Sequence, residues 1–498
     1  MTAQTIPAIT ERAARLFGAA AAVIEDGRET SFTALWELAR RAAAALAGAG
    51  LPPGERVAIW APNGLDWIVA CVGAQLAGGV VVPLNTRLKG AEAAYILNRT
   101  RARFLVVQNG FLGTDYAGML AGFDLPHLAR VIDLAAWGDF LAGAAAWAGP
   151  GPAAEAACDI MFTSGTTGDP KGVVALHGQT IRTFQAWIDA TGLRDGDRYL
   201  IVNPFFHSFG YKAGWLACLM TGATAIPMQT LDMPRLVALV TAHRVTVLPG
   251  PPAIFQTMLA SDLAAADFSS IRLAVTGAAN VPPALVRRMR EDLGIATVLT
   301  GYGLTESCGV VTMTCAADPP EAVSGTSGRP IPGVEVRIDA PAGAAGEILV
   351  RGYNVMAGYF EDAAATAAAI GADGWLRTGD VGRFDAAGRL MITDRIKDMY
   401  ISGGFNCYPA EIERVLQRHP DVAQAAVIGV PDARLGEVGH AFVVPAAGRA
   451  VDAAALLAWA RAEMANYKAP RSVDVVGSLP LNAAGKVQKY LLAAAAGR

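Results

Sequence analysis

The segment Thr163-Ser-Gly-Thr-Thr-Gly-Asp-Pro-Lys171 gathers two glycines, four hydroxyls and a lysine. Unhindered backbone N–H groups and hydroxyls that donate, beside an ammonium that offsets charge, suit a loop wrapped around a polyphosphate. Lys171 is followed by Gly172, and the glycine-to-lysine spacing differs from G-x-x-x-x-G-K-S/T, so this is not a Walker A loop. A Ser/Thr/Gly surface loop is the alternative reading of the segment by itself. Tyr302 follows the predicted strand Thr297–Thr300, where its ring can stack on a base; a core aromatic is the alternative. Gly277-Ala278-Ala279 ends another predicted strand with residues small enough to let a base approach the backbone. Asp380, in the predicted tight turn Arg377-Thr-Gly-Asp380, can accept both hydroxyls of a ribose, although an isolated Gly-Asp is commonly a turn residue. His207 follows a strand inside Asn203-Pro-Phe-Phe-His-Ser-Phe-Gly-Tyr-Lys-Ala-Gly214, and a core histidine is the even alternative. No carboxylate stands near it in sequence, so it is not read as a general base. Lys486, in Leu481-Asn-Ala-Ala-Gly-Lys486, taken alone is a solvated charge.

The loop resembles the phosphate loop of the adenylate-forming superfamily, which includes acyl-CoA synthetases, peptide-synthetase adenylation domains and firefly-type luciferases. The resemblance spans nearly the whole chain. Tyr302-Gly-Leu-Thr-Glu306, Thr378-Gly-Asp380, Asp394-Arg-Ile-Lys397, Ser402-Gly-Gly-Phe-Asn406 and Gly485-Lys486 follow in the family's order. It implies that Thr163, Ser164, Gly165, Thr166, Thr167, Gly168 and Lys171 hold the ATP phosphates. Gly277, Ala278, Ala279, Tyr302, Gly303, Asp380 and Arg395 then take the rest of the nucleotide. It further implies Thr305 on the α-phosphate, Mg²⁺ held by Glu306 and Thr166, and Lys486 on the carboxylate and α-phosphate during adenylation. His207 gates the tunnel between carboxylate and thiol, Lys397 is the hinge, and Ser402, Gly403, Gly404, Phe405 and Asn406 border the CoA pantetheine. The acyl pocket falls to Phe206, His207, Tyr211, Gly301 and Leu304, with the apolar helix Gly210–Met220 lining it. Lys489 is expected to be surface.

These residues need a frame, and the apolar pattern supplies one. Arg56–Trp60, Gly79–Leu84, Arg103–Val107, Tyr199–Asn203, Ala225–Met228, Val245–Leu248, Leu273–Thr276 and Thr297–Thr300 read as strands, alternating with helices such as Gly64–Ala77 and Ala91–Asn98. Continuous apolar strands between helices predict an α/β fold with parallel, helix-covered sheets, whose ligands sit beyond the carboxyl ends of the strands. After about Pro330 short strands separated by turns predict a β-rich subdomain. Beyond Asp394 a compact α+β segment follows, so residues 1–396 are expected to form an N-terminal AMP- and acyl-binding domain and 397–498 a small mobile C-terminal domain.

Composition narrows the classes. The 498 residues are 53% hydrophobic and 17% charged, which excludes a disordered chain. Forty-one basic against 44 acidic side chains, net −3, lack the surplus that a nucleic-acid surface needs. Six cysteines without a C-x-x-C pair read as reduced thiols, and the N-terminus has no apolar secretory stretch, so a cytoplasmic enzyme is expected. The uncharged run Trp67–Leu84 reaches transmembrane length, but Gln75, Gly78-Gly79 and Pro83 make it a buried helix followed by a buried strand. A slight basic surplus from Lys397 onward agrees with a CoA phosphate partner.

The resemblance therefore implies an ATP-dependent carboxylate:CoA ligase, monomeric or homodimeric, acting through an acyl-AMP. Pro204–Gly214, Val247–Pro252 and Gly403–Pro409 look most like bacterial ligases of steroid and fatty-acid breakdown. A steroid-derived polycyclic propanoate or a fatty acid is the expected acyl group. An aryl acid, or transfer to an acceptor other than CoA, is the alternative.

Overall fold

The Val- and Ile-rich runs pair as strands of two large sheets. The structure, a computed structural model, describes residues 4–163, 170–260, 266–277, 281–341, 343–395, 398–402, 405–432, 434–464, 466–482 and 486–495, with the backbone alone at 394, 395, 405 and 406. Among them, one sheet runs in the order Gly358–Tyr359, Lys171–Leu176, Ala157–Thr163, Val80–Pro83, Arg56–Trp60, Phe104–Val107 and Arg130–Asp133. The other runs from Arg329–Pro330 through Thr312–Met313, Thr297–Tyr302, Leu273–Gly277, Val247–Gly250, Arg198–Ile201, Thr224–Pro227 and Ala21–Glu25 to Arg28–Ser31. Their central strands are parallel, as covered apolar strands require. Three of the four edges are antiparallel, which continuous apolar runs alone do not reveal, while the edge strand Arg130–Asp133 is parallel to its neighbour.

Helices fill both faces. In the helix Leu65–Leu76 every residue from Trp67 on is buried, Gln75 included, and the strand Val80–Pro83 follows it. The uncharged run is thus core, and no helix among the described residues is long and apolar enough to cross a membrane.

The antiparallel strands Val334–Asp339, Gly346–Gly352, Leu376–Phe384 and Leu390–Arg395 form the expected β-rich part. The expected tight turn at Arg377–Asp380 is instead a bulge inside Leu376–Phe384. Leu349 faces Arg377 while Glu347 faces Val381, so Thr378–Asp380 are squeezed out of register, and Gly379 adopts φ 71° to allow it. The chain ends in a small α+β domain. Strands Val422–Asp432 and Gly436–Pro445 form its spine, with Ser472–Val475 parallel to the latter and helices Pro409–Leu416 and Ala453–Glu463 packed on the sheet. The fold is thus α/β, with a large N-terminal and a small C-terminal domain.

Candidate functional site

The strand Ala157–Thr163 and the strand Lys171–Leu176, which flank the hydroxyl-rich segment in sequence, pair antiparallel, and Thr163 lies directly opposite Lys171. Ser164, Gly165, Thr166, Thr167 and Gly168 lie outside the described residues, as do Ala278 and Ala279. Lys171 is an exposed first strand residue rather than a loop residue, and its ammonium stands 5.2 Å from the centre of the Tyr359 ring.

Gly277 and Gly301 are paired at the carboxyl ends of neighbouring parallel strands, where α/β sheets take their ligands. Gly301 is closed on its side-chain face by the Met313 sulfur, so it can offer an acyl group only its backbone. Tyr302 is the last residue of its strand, not the first after it, and its hydroxyl donates to Asp380 Oδ2 at 2.6 Å. Asp380 is 4% exposed, and the bond fixes the tilt of a half-buried ring that the sequence placed against a base. Arg395 stands in register opposite Asp380 across the adjoining strand.

Gly303 is exposed and Leu304 half-buried; beyond them Thr305–Ser307 form one tight helical turn, closed by Cys308 at φ 56°. A strap the sequence did not flag, residues 354–359, holds that turn at three points. Asn354 donates to the Val310 carbonyl at 2.8 Å, and the Met356 amide donates to the Glu306 carbonyl at 2.8 Å. The third contact is the Tyr359 hydroxyl, which donates to Glu306 Oε1 at 3.0 Å. Burial, and then the Glu306 carboxylate beside it, push the Tyr359 phenol well above its ordinary pKa, so it stays a donor. One carboxylate on a fixed turn, joined through Tyr359 to the strand that begins at Lys171, is a hard oxygen donor that suits Mg²⁺ shared with substrate phosphates. Tyr359 thus touches both Glu306 and Lys171, and only the 53-residue separation hid it.

His207 is half-buried, as is Phe206, and burial lowers the imidazole's pKa. Its Nδ1 accepts from the Phe209 amide at 3.2 Å, so the neutral ring carries its proton on Nε2. The ring has no carboxylate partner among the described residues. The helix expected over Gly210–Met220 is broken: Tyr211–Leu216 wind as a π-turn around Gly214. Tyr211, expected in the acyl pocket, is core instead. It is fully buried, stacks on Trp215 with centroids 4.9 Å apart, and its hydroxyl accepts from Gln75 Nε2 at 2.8 Å. The aromatic run reads as pocket in sequence, but the wider π-turn rotates this side chain into the protein.

The next residue departs further from that apolar expectation. Lys212 is 1% exposed, with its ammonium 3.1 Å from each carboxylate oxygen of the fully buried Asp159 and 3.7 Å from Cys308 Sγ. Burial opposes the charge, but Asp159 outweighs it and holds the ammonium above its ordinary pKa. Beside this pair, Gly309 lies so close to Ser208 and Phe184 that a β-carbon there would stand 3.1 and 3.3 Å from them. The π-turn, the helix His177–Thr191 and the turn after Glu306 therefore meet at one place.

In the C-terminal domain Ser402 is buried and paired with Phe405 across a hairpin, with Asn406 opposite Ile401. Gly403, Gly404 and Lys397 lie outside the described residues. The Lys486 amide donates to Asn482 Oδ1 at 2.9 Å, and the Lys486 carbonyl accepts from the Asn482 amide, so the two residues are held against each other. Lys489 is not a surface charge: its ammonium is 2.7 Å from Glu413 Oε1, with both side chains largely covered.

The AMP-binding enzyme family matches residues 10–360 and the AMP-binding enzyme C-terminal domain matches residues 411–486. A 3-((3aS,4S,7aS)-7a-methyl-1,5-dioxo-octahydro-1H-inden-4-yl)propanoyl:CoA ligase of Rhodococcus jostii (strain RHA1) is 49% identical over 509 residues, covering 98% of each chain. The ligase of the same name from Mycobacterium tuberculosis (strain ATCC 25618 / H37Rv) is 50% identical over 500 residues, again covering 98% of each. Among solved structures, the anthranilate CoA ligase AuaEII in complex with anthranoyl-AMP gives a TM-score of 0.92 at 28% identity, over 99% of this chain and 97% of that one.

Proposed function

The chain belongs to the AMP-binding enzymes as an ATP-dependent acid:CoA ligase, and from that premise we propose that its acid is a bicyclic propanoate bearing ring carbonyls. One observation carries the substrate: two ligases named for such an acid match half of this sequence over nearly the full length of both chains. Small acid, ATP and CoA are the substrates.

In the first half-reaction the carboxylate oxygen attacks the α-phosphorus and pyrophosphate leaves. The loop Thr163–Lys171 holds the departing phosphates, Tyr302 stacks on adenine, Asp380 and Arg395 hold the ribose side, and Thr305 meets the α-phosphate. Mg²⁺, held by Glu306 and Thr166, would neutralise phosphate charge. Lys486 stabilises the charge that grows on the phosphoryl oxygens. In the second half-reaction the CoA thiol attacks the acyl carbon and AMP leaves. The C-terminal domain turns about Lys397, so that Ser402–Asn406 replace Lys486 beside the thiol tunnel, with His207 at its gate. All six cysteines are free thiols, which supports placing the enzyme in the cytoplasm.

The test is a panel of bicyclic keto propanoates, fatty acids and aryl acids with ATP and Mg²⁺, with and without CoA. AMP, pyrophosphate and thioester are read by mass. The expected result is keto-propanoate-dependent AMP and a CoA adduct. Turnover of aryl or fatty acids alone overturns the substrate, and AMP without thioester overturns CoA as acceptor.

A further inference from the structure

A cavity of about 310 Å³ opens on the large domain among residues for which the reaction above has no use. Its size reaches that of small-molecule sites, about 300–1,000 Å³. Glu55, Arg56, Arg101, Arg103 and His127 line it, with Ala129 at one side. Arg56 is the first residue of its strand, and Arg103 and Ala129 stand immediately before the strands Phe104–Val107 and Arg130–Asp133. The cavity therefore lies at the amino ends of parallel strands, whereas Thr163 ends a strand of the same sheet at its carboxyl side. It is separate from the reaction centre.

Three guanidiniums meet there, each held differently. Arg56 is pinned: Nε donates to the Thr100 carbonyl at 2.6 Å, and its terminal nitrogens donate to the Gly54 and Arg101 carbonyls at 3.1 and 3.2 Å. Arg103 is its neighbour on the adjoining strand and donates through Nε alone, to the Gly50 carbonyl at 3.0 Å. The two terminal nitrogens of Arg103 have no partner among the described residues, and no carboxylate there pairs with it. Arg101 meets Glu361, and both are non-glycine residues at φ 49°, in left-handed backbone that persists where the surroundings hold it. Glu55 lies 3.3 Å from Arg56. Two carboxylates against three guanidiniums leave the place positive, which attracts an anion.

We infer that this cavity is a binding site for a phosphate group, free or carried on a small molecule, with Arg103 as its open fork and Arg101 shared between the ligand and Glu361. A guanidinium edge matches two phosphate oxygens at once, and a dianion gains more from two such forks than a carboxylate does. Arg56 adds its charge from a position already fixed by three carbonyls, and even a neutral His127 ring donates one N–H. Glu361 is the competitor: its carboxylate holds Arg101 until a phosphate displaces it. Inorganic phosphate, pyrophosphate and AMP all present the required group.

The experiment modifies the arginines of the intact chain with phenylglyoxal and reads each one separately by peptide mass. Inorganic phosphate, pyrophosphate, AMP and acetate are added in separate arms. The segment Thr163–Lys171 contains no arginine, so a phosphate bound there leaves the readout untouched. At a phosphate concentration about ten times its dissociation constant, modification of Arg101 and Arg103 should slow about tenfold. Arg449, exposed on the small domain, should react as before, and acetate should protect neither cavity arginine. E361Q should tighten phosphate binding about two- to fivefold, the worth of the surface ion pair it removes. R103Q should abolish the protection of Arg101 while adenylation continues at the parental rate. Because Arg103 also holds the Gly50 carbonyl, R101G is measured beside it; glycine suits that left-handed position, and protection of Arg103 should fall. The arm that protects at the lowest concentration names the source of the phosphate group. Protection by none of the three phosphates overturns the inference. Equal protection by acetate, equal protection of Arg449, or protection of Arg101 that survives in R103Q would reduce the cavity to ordinary surface charge and overturn it as well.

Discussion

Tyr359 shows how much of the site is set by a hydroxyl absent from any motif. Its bond to Glu306 Oε1 orients the carboxylate, and its ring faces the Lys171 ammonium. Groups that orient a metal ligand commonly govern affinity by about 10–100-fold. Y359F is therefore expected to raise the Mg²⁺ concentration giving half-maximal adenylation about tenfold, and to leave thioester formation from supplied acyl-AMP unchanged. An unshifted Mg²⁺ titration would show that Glu306 needs no such support. His177 carries a different residue-scale consequence. It is fully buried, its Nδ1 accepts from the Ile6 amide at 3.3 Å, and its Nε2 has no partner among the described residues. Burial, then Lys212, lower its pKa to about 3. The folded ring thus stays neutral while the unfolded ring takes a proton below about pH 6.5. Stability is fully present above that value and declines on acidification towards pH 3, by about 1.4 kcal/mol per pH unit from this group. Denaturant midpoints at pH 7.5 and 5.5 should separate, and less so in H177L; identical pH slopes in parent and variant would remove His177 as the cause.

At the scale of elements, the turn Thr305–Ser307 depends on close backbone approach. A β-carbon on Gly303 would lie 2.1 Å from the Gly309 carbonyl oxygen, which no rotation of a side chain can relieve. G303A must move the turn carrying Thr305 and Glu306, and misplacement of about 1 Å costs on the order of a hundredfold. Adenylation is expected to fall by that order, whereas G325A, with open space around it, should behave as the parent. Equal rates for the two variants would mean that the turn tolerates displacement. The parallel strands, their helices and the order of motifs were legible because apolar periodicity and local turn residues act over a few positions. What sequence could not show comes from contacts made at a distance. The bulge at Thr378–Asp380 arises from pairing with Glu347–Leu349, not from Gly379 alone. The π-turn moved Tyr211 into the core, and Lys489 found Glu413, a partner distant in sequence. Lys212 with Asp159, like Tyr359 with Glu306, joins residues 53 apart, so each pair had one member inside a motif and one unremarked.

For the whole molecule, the proposed mechanism runs two half-reactions at one centre and asks the small domain to hold two positions. In the proposed division of roles Lys486 serves adenylation and Ser402–Asn406 thioester formation, with both segments carried on the small domain. K486A should abolish acyl-AMP formation and spare thioester formation from supplied acyl-AMP; equal loss of both would remove the division of roles. The rotation itself can be arrested. Gln424 of the small domain's long strand donates to Gln256 Oε1, on the helix Pro252–Ala260 of the large domain, at 3.4 Å. A short bis-maleimide joining Q256C and Q424C would pin the domains in this arrangement, with the exposed Cys315 first replaced by serine and the other five cysteines buried out of reach. Closure steps of this kind run far faster than such a bridge opens. The linked enzyme should perform one half-reaction and lose the other by at least about a hundredfold, since one fixed position cannot present both segments to the α-phosphate. Mass spectrometry of the linked chain, with AMP formation and thioester formation assayed separately, reads the outcome. A linked enzyme that runs both halves at parental rates would require both segments to reach the centre without rotation, and the hinge at Lys397 would have no task.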